Sequence, residues 1–395
     1  MNLRRSLLSV VLLVVPLAAA AQLNECSTVV ALGDATVDGR PLLWKNRDTA
    51  QLHNKVVFAD EKPYPYLALV DDEDSSGRVA WVGLNAAGFA ICNSVAYNLP
   101  AAAGSEMEDL EGMVMADALR TCATAGDFEA YLKRRLGSQL GSRTNFCVID
   151  AAGNAVIFEV HNRGFKKYSA AGAPERCLVN TNFSRSGTPN RGSGYLRFDR
   201  ESQVLAAAPG GKLSHQYVLQ YACRDLGHML LRHPDRAAWR SLPADTSYFI
   251  HTNHTINRPS TAAAVVIRGV RKGEDPANAV MWVVLGEPVM SAAVPLWVSA
   301  GEVPGPVRSG AVCTEALRLK DIARPFAVSE KREYLDLTKL DNRSGTGWLP
   351  RLLVEESRIF AETEQFLKGE PGAKERAAFQ SRVADRVLAL LKGIR

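Results

Sequence analysis

The stretch Cys26-Ser27-Thr28-Val29-Val30-Ala31-Leu32, carried on through Asp38-Gly39 to Pro41-Leu42-Leu43-Trp44-Lys45-Asn46-Arg47-Asp48-Thr49, decides how this chain reads. Residues 29–32 and 41–44 are two apolar runs, and Asp38-Gly39 between them is a turn signal. The pattern predicts two strands joined by a turn. Asp48 and a basic neighbour would then return beside Cys26 from the second strand.

A thiol is a weak nucleophile and a thiolate a strong one, so a catalytic cysteine needs a base within hydrogen-bond reach. A free α-amine has a pKa of about 7.7–8.0 and can take a proton and return it near neutral pH. An internal Cys26 has only an amide nitrogen, which is no base. The mechanism therefore requires Cys26 to become the first residue of the mature protein. What precedes it suits that requirement. Arg4 and Arg5, the apolar residues 7–17 and the small residues 18–21 read as a secretory leader. Residues 22–25 would then be a short propeptide. The apolar run is too short for a comfortable membrane span, and no later stretch is long and apolar enough. The expected location is secreted or periplasmic. A disulfide or lipid-attachment cysteine is the competing reading, but Asn24 and Glu25 stand where a lipid-attachment site carries small residues.

The stretch resembles the cysteine branch of the N-terminal nucleophile hydrolases, where a Cys-Thr or Cys-Ser start is followed by Asp-Gly and then Arg-Asn-x-Asp. The matching residues are Cys26-Ser27, Asp38-Gly39 and Lys45-Asn46-Arg47-Asp48. Penicillin acyltransferase-like amidases, choloylglycine hydrolases and dipeptidases of the same fold share this pattern. The resemblance implies catalytic roles for Cys26 and Asp48 and substrate-binding roles for Lys45 and Arg47. Lys45 replaces an arginine and lacks its bidentate fork. Arg47 is expected to compensate only by pointing to the opposite face.

Further segments fit the resemblance in family order. Gly83-Leu84-Asn85-Ala86-Ala87-Gly88 precedes Asn93, which lands on an oxyanion-hole position, while Asn85 and Gly88 read as turn residues. The strand ending Asn180-Thr181-Asn182 offers Asn182 as the second oxyanion or substrate amide, with Asn180 as its alternate. In Tyr195-Leu196-Arg197-Phe198-Asp199-Arg200, Arg197 matches an arginine that reaches back to the nucleophile; pairing with Asp199 or Glu201 is the competing use. The expected catalytic set is Cys26, Asp48, Asn93, Asn182 and Arg197, with Lys45, Arg47 and Asn180 binding substrate.

With 395 residues, 47% hydrophobic and 23% charged, the chain can build a sizeable core. Its net charge of +5 is dispersed, with no basic block interleaved with aromatics, so nucleic acid is not an expected partner. Seven cysteines leave at least one unpaired, and no Cys-x-x-Cys suggests zinc. His251 and His254 lack a carboxylate cluster. No metal or cofactor is expected, and the partner is a small-molecule amide.

Residues 107–136 and 213–231 read as helical, and residues 60–97, 142–160, 261–270 and 279–285 as strand-rich. From about residue 314 the texture becomes charge-rich and helical. Val383, Val387, Leu390 and Leu391 form an apolar stripe for packing on the core, with homo-oligomer formation as its competing use. The fold class is α/β (α+β). The resemblance adds a four-layer αββα order of two mixed, mainly antiparallel sheets. The expected domains are 26–305 for the hydrolase and 306–395 for a helical extension. The implied reaction is acyl transfer from a linear amide to Cys26 and then to water. A dipeptidase of the same superfamily and a non-catalytic exported binding protein are the rivals.

Overall fold

The computed structural model describes residues 25–74, 76–325 and 332–395, so the expected leader and residues 22–24 lie outside the described residues. In chain order the strands are β1 (Glu25–Ala31), β2 (Leu42–Asp48), β3 (Asn54–Ala59), β4 (Tyr66–Asp71), β5 (Val82–Asn85), β6 (Ala90–Val95), β7 (Arg143–Ile149), β8 (Ala155–His161), β9 (Gly164–Ser169), β10 (Cys177–Asn180), β11 (Phe249–His251), β12 (Thr261–Arg268), β13 (Val280–Leu285), β14 (Val294–Leu296) and β15 (Tyr334–Asp336). The helices are α1 (Glu111–Thr121), α2 (Ala125–Arg135), α3 (Tyr195–Ala206), α4 (His215–Gln220), α5 (Arg236–Trp239), α6 (Gly305–Arg308), α7 (Ala311–Ala323), α8 (Leu337–Leu340), α9 (Leu349–Leu367) and α10 (Ala373–Lys392).

One sheet runs β10-β1-β2-β12-β13-β14, and a seven-stranded meander runs β3 through β9. Every pairing described in them is antiparallel. Side-chain alternation sorts the meander into two faces. Leu67 and Leu69 enter the core between the sheets, while Ala68 and Val70 pack outward with α1 and α2. Phe128 of α2 anchors the outer layer, meeting Phe146 and Phe158 edge-on at 5.4 and 5.3 Å. Thr124 and Asp127 cap that helix reciprocally. On the far side, α3, α4, α9 and α10 cover the six-stranded sheet. Phe360 of α9 stands edge-on to Trp282 of β13, and Phe379 of α10 to Trp297. The result is the helix–sheet–sheet–helix order that the resemblance implies.

The C-terminal helices share this core. Val383, Val387 and Leu391 are buried. Two fully buried ion pairs tie the region to the sheet layer, Arg224–Glu356 at 2.9 Å and Arg324–Glu287 at 2.6 Å. β15 pairs with β11.

The expected helix over residues 213–231 is much shorter. Only His215–Gln220 is α-helical, followed by the 3-10 turn Ala222–Arg224. Arg224 is drawn into its pair with Glu356, and Asp225 accepts two 2.7 Å bonds from Arg200. Those tertiary bonds pull the backbone off the helical path, and Leu230 and Leu231 end up exposed. No helix among the described residues is long and apolar enough to cross a membrane.

Candidate active site

The β1–β2 register sets Glu25 opposite Asp48, Cys26 opposite Arg47, Ser27 opposite Asn46 and Thr28 opposite Lys45. Directly opposed residues share a face of the sheet. Cys26, Thr28, Lys45 and Arg47 therefore look toward the meander. Glu25, Ser27, Asn46 and Asp48 look toward α3. Lys45 and Arg47 are two residues apart and point the same way, which corrects the expectation that Arg47 takes the opposite face.

The main chain of Cys26 is gripped from two directions. Its N–H donates to Asn182 Oδ1 at 2.9 Å, and its carbonyl accepts from Arg197 Nη1 at 2.8 Å. Arg197 also donates to Ser27 Oγ at 3.2 Å and to Asn182 Oδ1 at 2.9 Å. Asn182 Nδ2 donates to the Val95 carbonyl at 3.0 Å, which fixes which end of the amide meets Cys26. Arg197 can reach this deep because α3 begins at Gly194, with φ of +79°. A Cβ there would come within 2.6 Å of Arg197 Nη2 and 2.9 Å of Thr181 Oγ1. Glycine both adopts the left-handed conformation and leaves the room. Glu201, one turn further, is fully buried, and burial holds its carboxyl well above the usual range.

On the α3 side sit two contrasting carboxyls. Asp48 is buried and accepts from Thr261 Oγ1 at 2.7 Å, while its Oδ2 has no hydrogen-bond partner among the described residues. Burial pushes its carboxyl up to about 6, against the pull of Arg258 and Arg197. Glu25 is buried too, and burial alone would raise it. Arg197, Arg258 and the Ser193 hydroxyl outweigh that and hold it down to about 2.

The remaining expected site residues are tied into the framework. Lys45 Nζ donates to Asn93 Oδ1 at 2.6 Å and to the Trp81 carbonyl at 2.9 Å. The Asn93 amide is thereby oriented with its oxygen on Lys45. Arg47 donates to Asn54 at 2.5 Å and Asp71 at 2.7 Å and lies over the Trp81 ring, so it joins the two sheets. Asn180 donates to Ser94 Oγ at 3.1 Å and accepts from Arg185 at 3.0 Å, so both ends of its amide are engaged. Arg200, one turn from Arg197, pairs with Asp225 instead of joining the site. Asn85 closes its turn, accepting from the Ala87 and Phe89 amides. Asn46 anchors β2 to two loops through the carbonyls of Cys223 and Ile256.

Three contributors lacked a local sequence signal: Ser193, Arg258 and Thr261. Arg258 sits in a loop just before Pro259 and donates to Glu25, and Ser193 reaches the other Glu25 oxygen. The short bridge between Ser193 and Asn182 brings that hydroxyl in. All seven cysteines are free thiols, and Cys92 lies directly opposite Cys147 across β6 and β7. Among the described residues no group of three or more His, Cys, Asp or Glu is placed to hold a metal. Cavities lie elsewhere, among them one of about 800 Å³ beside Cys177, Leu178 and Phe198 and one of about 280 Å³ between Arg200, Asp225 and His233.

No protein-family model matches the chain, and no curated protein does. Solved structures do. One is a mutant conjugated bile acid hydrolase from Clostridium perfringens, with 16% identity and a TM-score of 0.30, the match covering 47% of this chain and 58% of that one. That match thus spans little more than half the length of the bile acid hydrolase. A second is the Caenorhabditis elegans ortholog of N-acylethanolamine-hydrolyzing acid amidase, with 15% identity, a TM-score of 0.40 and coverage of 62% and 92%. A third is penicillin V acylase from Agrobacterium tumefaciens, with 12% identity, a TM-score of 0.35 and coverage of 69% and 86%.

Proposed function

We propose that this chain is an exported cysteine amidohydrolase that cleaves linear, non-peptide amides through a thioester on Cys26. Residues through Glu25 are first removed, which turns the Cys26 nitrogen from an amide into an amine. In the first half-reaction the Cys26 Sγ–H proton passes to that amine and the sulfur bonds to the substrate carbonyl carbon. The C–N bond then breaks, and the departing amine takes the proton. In the second half-reaction water gives a proton to the α-amine, attacks the thioester carbonyl and releases the acid, and the proton returns to sulfur.

Each neighbour has a part in this scheme. Asn182 Oδ1 accepts from the α-nitrogen and aims its lone pair. Asp48, across the strand pair, stabilises the ammonium form. Asn93, with its oxygen held by Lys45, turns its NH₂ to the oxyanion; one such donor is worth roughly 3–4 kcal/mol in the transition state. Arg197 holds the Cys26 carbonyl and Asn182 in one geometry.

The observation that supports this reading is the double grip on the Cys26 main chain by Asn182 and Arg197. A cysteine that merely filled the core would need its side chain packed, not two buried polar side chains directed at its backbone. A thiol-reactive probe tests the reading. On mature protein at neutral pH, Cys26 should label faster than the other six cysteines. Slow labelling at Cys26 would leave a non-catalytic binding protein as the better account. Hydrolysis profiled across N-acyl amino acids, dipeptides, bile-salt conjugates and penicillins then defines the substrate.

A further inference from the structure

Glu25 is the acyl residue of the bond that must break to free Cys26, so it occupies the acyl side of the site in the uncut chain. Its side chain is buried, 9% exposed, in a pocket built for one carboxylate. One oxygen accepts from Arg258 Nη1 and lies 3.2 Å from Arg197 Nη2; the other accepts from Ser193 Oγ. Arg258 is positioned by Asn253, which accepts from its other terminal nitrogen at 3.0 Å, and its Nε has no partner among the described residues.

Removal of Glu25 takes one negative charge away from two buried guanidinium groups. Asp48 lies 4.0 Å from Arg258, but the new ammonium of Cys26 competes for it. A buried cation stripped of its partner is costly, so the emptied pocket favours an incoming anion. The skeleton of Glu25 sets the spacing: three carbons separate its main-chain carbonyl from its carboxylate.

We propose that Arg258, Ser193 and Arg197 form an acyl-side anion subsite in the mature enzyme, selecting amides whose acyl group ends in a carboxylate three carbons from the scissile carbonyl. Glutaryl amides and α-glutamyl amides are that class. The inference rests on the cleavage before Cys26 and the amide hydrolysis proposed above.

The test compares kcat/KM of the mature protein on glutaryl-4-nitroanilide and on its uncharged counterpart pentanoyl-4-nitroanilide. Glutaryl should be preferred by about ten- to a hundredfold, the scale of one charge-assisted hydrogen bond. Arg258→Gln should bring the glutaryl-to-pentanoyl ratio of kcat/KM down to about one, and Arg258→Lys, which keeps the charge, should restore part of it. Glutarate, but not butyrate, should inhibit the wild-type protein competitively, which reads the subsite without a variant. A protein that starts at Cys26 and turns over pentanoyl-4-nitroanilide with no glutaryl preference and no glutarate inhibition overturns the subsite alone. An equal loss on both substrates in Arg258→Gln also overturns it. A chain that is never cut before Cys26 and hydrolyses neither anilide overturns the proposed function, and the subsite falls with it.

Discussion

Glu25 and Asp48 face each other across the first two strands, one carboxyl held down to about 2 and the other pushed up to about 6. Both are buried, which raises each. They differ in what meets them: Glu25 has two guanidinium groups and a hydroxyl, whereas Asp48 has one hydroxyl and an oxygen without a partner among the described residues. The charge on Glu25 raises Asp48 further. In the proposed cleavage before Cys26, the loss of Glu25 and the new ammonium beside Asp48 would both favour the ionised form of Asp48.

The pH dependence of stability should expose Asp48 in the uncut chain, tested in Cys26→Ala. Its carboxyl titrates near 6 when folded against an ordinary 3.8 when unfolded. Between those values the folded state binds more protons. The contribution of Asp48 is therefore fully present below about pH 4 and is lost as pH rises through about 6. Relative to a Cys26→Ala chain also carrying Asp48→Asn, the parent should lose roughly 3 kcal/mol of unfolding free energy between pH 4 and pH 7, at about 1.4 kcal/mol per unit. Denaturant titrations at the two pH values measure it. Parallel curves would mean that Asp48 ionises normally in the fold.

Processed Asp48→Asn protein should lose kcat by about a hundredfold or more, the scale of a positioned acid–base partner. Near-normal turnover of a chain that begins at Cys26 would remove Asp48 from the mechanism. Asp48 is 1% exposed and accepts from Thr261, so it does not pair with a surface cation.

The mature terminus should be Cys26. Intact mass of active exported protein reads it directly, and a stable start at Ala21 or Gln22 contradicts the reading. Cys26→Ala should stay uncut and inactive. Cys26→Ser should process slowly, because a hydroxyl is the poorer nucleophile near neutral pH.

Arg197→Lys keeps the charge but loses the planar fork that spans Cys26, Ser27 and Asn182. We expect kcat to fall by about ten- to a hundredfold, as for loss of hydrogen bonds made by a charged group. Unchanged kcat in a folded variant would assign Arg197 to structure alone.

Asn93→Ala should lower kcat by about a hundred- to a thousandfold with little change in KM, since an oxyanion donor acts in the transition state. A rise in KM at constant kcat would instead make Asn93 a substrate-binding group.

The sequence by itself determined the strands and their faces. Alternation over residues 67–70 sends leucines to one side of a sheet and smaller residues to the other, whatever the sheet packs against. The connection that contains Asp38-Gly39 returns the chain so that Arg47 stands opposite Cys26 and Asp48 opposite Glu25. Even there the period of two had to be applied strictly, since Lys45 and Arg47 share a face. The tertiary structure decided what the faces meet. Asn182 and Arg197 reach the Cys26 backbone from 156 and 171 residues away, and Arg258 reaches Glu25 from 233. Whether an arginine binds a neighbouring acid or a distant carbonyl depends on which layer its helix covers, and local sequence carries no record of that. The same cause shortened the helix expected over residues 213–231. Its propensity is local, but the bonds from Arg224 to Glu356 and from Arg200 to Asp225 exist only once the layers are stacked, and they are worth more than another turn of helix.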